Sequence, residues 1–215
     1  MIEPIWLFLH ILVFVYWLGG DLGAFYASRL VADPARPPAA RGAAAHILMN
    51  VDMAPRMALI FTLPTGLALA ASRGWIALDP LWVAVAFIAA VIWAGAAWLV
   101  HLKTGPHALA RHFDTALRWV VMAGLLAAAL AALAGVWDAP LFLSLKLCLL
   151  ALTIGSGLMI RSALAGFGPA FAQVMAGEAS ADATVAASLR RAKRWVLVIW
   201  AALFAAALLG VYTPA

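Results

Sequence analysis

Two ionisable residues sit where an apolar chain has least use for them. His10 lies in the run Trp6-Leu7-Phe8-Leu9-His10-Ile11-Leu12-Val13, six residues after Pro4. Lys146 lies in Leu143-Ser144-Leu145-Lys146-Leu147, six residues after Pro140. At the helical rise of 1.5 Å per residue, both stand about 9 Å inside their helices. A neutral imidazole at that depth is a good ligand for heme iron, in the way helical bundles often supply it. An ammonium at the same level could neutralise a heme propionate or another anionic group, or ligate iron as a free amine. The blander alternatives are a core histidine bonded to a carbonyl and a lysine snorkelling to the surface. Ionisable groups in membrane spans are costly and mark candidate sites.

A second layer of charge lies deeper. Asp21 falls in the first apolar run, which ends near Arg29, and Asp52 and Arg56 fall in the second, after His46. The spacing of four puts Asp52 and Arg56 on one helix face. An Asp21–Arg56–Asp52 cluster would satisfy all three charges, either as an ion-pair lock or as a site where Arg56 holds an anion. His46, His101, His107 and His112 gather at the same end, with no Cys, Asp or Glu at metal-ligand spacing. His107 and His112 read as loop residues. His46 and His101 end adjacent runs and could approach one another around a second cofactor. Met49, Met53 and Met57 step by four; with Met122 and Met159 they are candidate copper or axial ligands, or packing. Pro55 and Pro64 both fall in the second run, where each is expected to interrupt the helix and shape it around a cavity. Cys148 is the single cysteine, so no intrachain disulfide can form. No P-loop, dinucleotide fingerprint, zinc-protease motif or nucleophile elbow is present.

The elements that must hold these residues follow from composition. Of 215 residues, 67% are hydrophobic and 11% charged, and mean hydropathy is +1.03. A soluble domain carries about 25% charged residues, so too little polar surface exists here to face water all round. Spanning a bilayer takes about 20 apolar residues, and six such runs occur, at about 4–27, 46–71, 80–101, 116–137, 140–161 and 191–212. The expected fold is all-α: one polytopic bundle of six transmembrane helices covering residues 1–215. Pro- and Gly-containing breaks support it, at Asp33-Pro34, Ser72-Arg73-Gly74, Asp79-Pro80, Thr104-Gly105-Pro106 and Asp138-Ala139-Pro140. The stretch 162–190 reads as a long loop with a short surface helix at 170–175. Gly19, Gly23 and Ala27 form a small-residue row suited to close helix packing.

Net charge is +5 and the pI near 10.0, yet the basic residues do not form a nucleic-acid-binding face. Eleven of fourteen fall in the odd loops and their helix ends, one (Arg73) on the opposite side, and Arg56 and Lys146 within spans. The positive-inside rule then places both termini outside the cytoplasm, in a multi-pass protein of the inner (plasma) membrane. Trp75, Trp82, Trp137 and Tyr212 read as outer interface anchors, Trp119 and Trp195 as inner ones. The start, Met1-Ile2-Glu3-Pro4, has no basic n-region, so no cleaved signal peptide is expected.

The segment from Trp6 to Val13 with Tyr16-Trp17-Leu18-Gly19-Gly20 resembles the first helix of the HemJ-type protoporphyrinogen oxidases and of copper-resistance-D-like membrane domains. Ile47-Leu48-Met49-Asn50 followed by Leu63-Pro64-Thr65-Gly66-Leu67 is similar to the second helix, and Leu143 to Leu147 to the H-V-K-L segment. Ser144 stands where the oxidases usually carry histidine, and six spans exceed the number expected of that family. The resemblance covers about half of the chain. It implies a heme b bundle in which His10 ligates iron and Lys146 is important to the site. The function expected is that of a heme b redox protein accepting electrons from a lipid-soluble or porphyrin-type donor, with porphyrinogen oxidation the most specific version. In it Arg56, Asp21 and Asp52 would organise the inner half. Copper transport and a non-catalytic membrane subunit are the alternatives; nucleic acid is not an expected partner, and self-association is left open.

Overall fold

The computed structural model describes residues 3–102 and 108–212. Its helices are α1 (Glu3–Ala32), α2 (Pro38–Val51), α3 (Met53–Ser72), α4 (Pro80–Leu102), α5 (Ala108–Leu133), α6 (Leu141–Ala163), α7 (Phe167–Met175) and α8 (Asp182–Val211). A short 3-10 turn, Ala179–Ala181, precedes α8, and the described residues contain no strand. Six helical stretches are long and apolar enough to cross a membrane: α1, α2 with α3, α4, α5, α6 and α8. They close into a ring in the order α1, α3, α4, α5, α6, α8, with α8 returning to α1. The second span is the most enclosed: 56% of its most apolar stretch is buried, against 11% to 28% in the others.

The packing is that of a protein dissolved in lipid. Large side chains such as Phe8, Val15, Trp82, Ile88 and Val91 point outward and stay exposed. Ala58, Ala90, Ala94, Ala97 and Ala151 lie in the core. Lipid is as apolar as leucine, so close approach of small residues, rather than exclusion of large ones, holds spans together.

The two prolines of the second span behave differently. Pro55 has no N–H for the carbonyl of Val51, and the helix is interrupted at Asp52. Pro64 sits inside α3 without ending it. The broken segment leans into α1. A Cβ added at Gly20 would lie 2.5 Å from Pro55 Cδ and 2.9 Å from Ala54 Cβ, and one at Gly23 3.0 Å from Val51 Cγ1. Gly19, expected in the contact row, faces open space; the row is carried by Gly20, Gly23 and buried Ala27. The obstacle at Gly20 is a rigid ring, so Gly20→Val is expected to lower stability by about 1–3 kcal/mol through overpacking. Thermal unfolding in detergent measures it, with Gly19→Val as the tolerated comparison; equal losses at the two sites would refute the packing argument.

The basic end differs from expectation. The run 162–190 is not one long loop, and α8 begins at Asp182, nine residues before the expected span. Val31, Ala44, Ala45, Ala170, Val174, Ala181, Val185 and Leu189 form a second, smaller core joining the end of α1 to α2, α7 and α8. Arg41 is buried within it, donating from Nε to the Val31 carbonyl at 2.9 Å and pairing through Nη1 with Asp182 Oδ1 at 2.7 Å. Helices here run past the apolar stretch because their small apolar faces pack on one another around the Arg41–Asp182 pair, which hydropathy alone does not register. The short helix expected at 170–175 is present as α7.

Candidate functional site

At the end of the ring away from most lysines and arginines, α1, α3, α6 and α8 enclose a cavity of about 470 Å³. That volume is within the range of about 300–1,000 Å³ typical of small-molecule sites. Its shape follows from side-chain size. α1 presents Leu7, His10, Phe14 and Trp17, spaced by three or four, and α6 presents Leu143, Lys146, Leu150 and Thr153 in the same rhythm. α8 presents mainly small residues, including Ala202, Ala206, Ala207 and Gly210. Two helices with large side chains opposite one with small ones leave a void. Trp17, 2% exposed, belongs to both the lining and the central core.

His10 and Lys146 thus line one cavity. The hydrogen bonding of His10 assigns its tautomer. Thr65 Oγ1 donates to the Phe61 carbonyl at 2.7 Å, so its proton is committed. Its oxygen, 2.9 Å from His10 Nδ1, must then accept from Nδ1–H. The other nitrogen, Nε2, keeps its lone pair and has no hydrogen bond among the described residues. Gly66 makes room for the ring; a Cβ there would come within 3.2 Å of His10 Cε1.

The Lys146 Nζ lies 5.9 Å from the Phe142 ring centroid and passes over Gly210, where a Cβ would stand 2.9 Å away. No acidic side chain among the described residues is within ion-pair distance of it. Arg73 completes the lining. Its Nε pairs with Glu3 Oε1 at 2.5 Å, and its guanidinium lies 5.5 Å from the Trp75 ring centroid. The cavity is apolar, with an imidazole acceptor, the Lys146 ammonium and the Glu3-paired Arg73 guanidinium among its polar groups. Arg73 and Thr65 carry this chemistry beside His10 and Lys146. In sequence, Arg73 reads as a loop charge and Thr65 as part of a resemblance, because neither type is unusual where it stands.

Arg56, Asp52 and Asp21 do not line this cavity. Arg56 approaches Asp52 Oδ2 through Nε at 2.7 Å and Nη2 at 2.5 Å, next to the helix break. Asp21 does not join them: it is buried beside the indoles of Trp17 and Trp200, and its Oδ2 has no hydrogen-bond partner among the described residues. The triad expected from sequence is therefore a pair plus a separate carboxyl, because Asp21 faces α8 and Arg56 folds back on its own helix. The denser charge network lies elsewhere. Asp114 accepts from Trp93 Nε1 at 2.8 Å and pairs with Arg118 Nε at 3.3 Å and with Arg161 Nη2. Asp114 and Arg118 are almost completely buried, tying α4, α5 and α6 together. The spacing of four between them was the available signal, hidden because Arg118 and Arg161 also fit as loop-end charges.

The remaining candidates are dispersed. Asn50 stands between His46 and His101: its Nδ2 is 3.0 Å from His46 Nε2 and its Oδ1 is 3.3 Å from His101 Nε2. The two histidines are bridged by an amide rather than converging on one point. His112 is exposed, and His107 lies outside the described residues. Met49 is exposed and Met53 buried on either side of the helix break, so the stripe does not continue along one face. Met122 Sδ would lie 3.3 Å from a Cβ at Gly155, a packing contact. No group of three or more His, Cys, Asp or Glu side chains is placed to hold a metal among the described residues. No family model, curated protein or solved structure matches the chain.

Proposed function

We propose that the cavity holds heme b and that the chain is a membrane redox protein. The observation that carries the reading is the His10–Thr65 contact: Thr65 Oγ1 accepts from Nδ1–H, leaving an unprotonated Nε2 in the wall of an apolar cavity. Iron-ligating histidines are oriented in this way through their other nitrogen. The donor set suits the group. His10 would ligate the iron, Lys146 and Arg73 would hold propionate carboxylates, and the leucine, alanine and tryptophan walls would exclude water. The lining contains no methionine, cysteine, tyrosine or second histidine, so His10 is the expected protein ligand. When bound, heme b supplies one-electron oxidation and reduction.

The most specific version is porphyrinogen oxidation, in which the substrate's carboxylates would meet the same cations. On the charge asymmetry, we place the protein in the inner membrane with both termini and the cavity toward the outer side. The half-exposed pair Asp52–Arg56 and the buried Asp114–Arg118 pair with Arg161 would then brace the cytoplasmic half.

The test is an absorption spectrum of protein purified in detergent from cells with ample heme supply, taken oxidised and dithionite-reduced. The expected result is a Soret band that shifts on reduction and is lost in His10→Ala. A colourless, metal-free protein overturns the reading in favour of a non-catalytic subunit. A colourless protein carrying copper overturns it in favour of transport.

A further inference from the structure

A second concavity lies at the basic end of the bundle, on the flank where α6 and α8 meet. It encloses about 430 Å³. α8 contributes Arg191, Arg194, Trp195 and Val198, the i, i+3, i+4 and i+7 positions of one helix face, and α6 contributes Met159 and Ser162 in the facing stripe. The groove is amphipathic along its length. Toward the helix ends it is cationic; toward the middle of the spans Val198 and the exposed thioether of Met159 make it apolar. Trp195 stands at the join, where membrane interfaces hold tryptophan.

The charges of this groove are uncompensated. Arg36, Arg41, Arg56, Arg73, Arg118 and Arg161 each pair with an aspartate or glutamate. Arg191 and Arg194, like Arg29, Arg111 and Arg190, have no such partner among the described residues; these two stand in one groove, and no acidic side chain lines it. Asp182, one acidic residue of the same helix, is already engaged by Arg41. A ligand with a negative headgroup would balance the two charges, and an acyl chain suits the apolar half. A zwitterionic headgroup would bring an ammonium for which the groove has no carboxylate.

We propose that this groove binds one anionic glycerophospholipid, its phosphate held by Arg191 and Arg194 and its acyl chain lying along Met159 and Val198. Basic pockets between spans recognise anionic headgroups in this manner. The lipid would fill the seam between α6 and α8 from outside, on the flank of the bundle away from the α1 side where Lys193 reaches the Phe25 ring.

Native mass spectrometry of the detergent-purified chain with phosphatidylglycerol, phosphatidylcholine or inorganic phosphate tests this. One phosphatidylglycerol should remain bound where phosphatidylcholine is stripped, and it should raise the melting temperature. The double variant Arg191→Gln/Arg194→Gln should retain it about 30-fold less well, following the usual contribution of a basic residue at a lipid surface. Arg111→Gln/Arg190→Gln removes equal charge outside the groove and should change retention little. Met159→Trp fills the groove without altering charge and should expel the lipid, which keeps the test decisive if the arginine variant misfolds. Equal losses in the two double variants, equal retention of the two lipids, or protection by inorganic phosphate equal to that by lipid would each overturn the proposal.

Discussion

Asp114→Asn is expected to lower stability by about 3–5 kcal/mol, the usual result of removing one member of a buried ion pair. The carboxylate lies between Arg118 and Arg161 and also accepts the indole N–H of Trp93. Arg118 is buried with it and can neither relocate to water nor find another acid nearby among the described residues. Asparagine keeps the shape and an acceptor for Trp93 but leaves two guanidinium charges unbalanced. Asp52→Asn, in a pair whose side chains are 34% and 38% exposed, should cost no more than about 1 kcal/mol. Chemical unfolding in mixed micelles gives both numbers. Adding Arg118→Met to Asp114→Asn should recover part of the loss, because the uncompensated charge, not the missing bond, dominates. A cost for Asp114→Asn no greater than that for Asp52→Asn would show that water reaches the network.

Thr65→Val is expected to weaken cofactor retention by about 10–100-fold, as loss of an outer-shell partner does for a metal-ligating histidine. Valine matches threonine in shape but cannot accept from His10 Nδ1–H, so the ring loses both its orientation and its preferred tautomer. The prediction rests on the proposed heme site and is separable from His10→Ala: the Soret band should survive in Thr65→Val at saturating heme while the affinity falls. Heme titration followed at the Soret maximum reads the affinity. Unchanged affinity with an intact fold would mean that Thr65 does not set the imidazole.

Much of the architecture is legible without coordinates because depth in a membrane is a one-dimensional quantity. Apolar runs of about 20 residues must span, prolines and glycines mark their ends, and a count of residues from Pro4 and Pro140 places His10 and Lys146 at one level. Runs of polar and small residues are harder to read. The α2–α7–α8 core at the basic end is built largely from alanine and valine around Arg41, and such residues look alike in a loop and in a small core.

Six apolar spans, their breaks and the matching depth of an imidazole and an ammonium are properties of this chain's sequence alone, since each depends on hydropathy and on distance along a helix. The direction in which a side chain faces depends on what stands beside its helix, and that required the tertiary structure. It turns Asp21 toward Trp17 and Trp200 instead of Arg56, gives Arg161 a place beside Asp114, and sets the small residues of α8 opposite His10 and Lys146. Rotation about a helix axis is decided by neighbours from distant parts of the chain, and here that rotation separates a cavity from a packed wall.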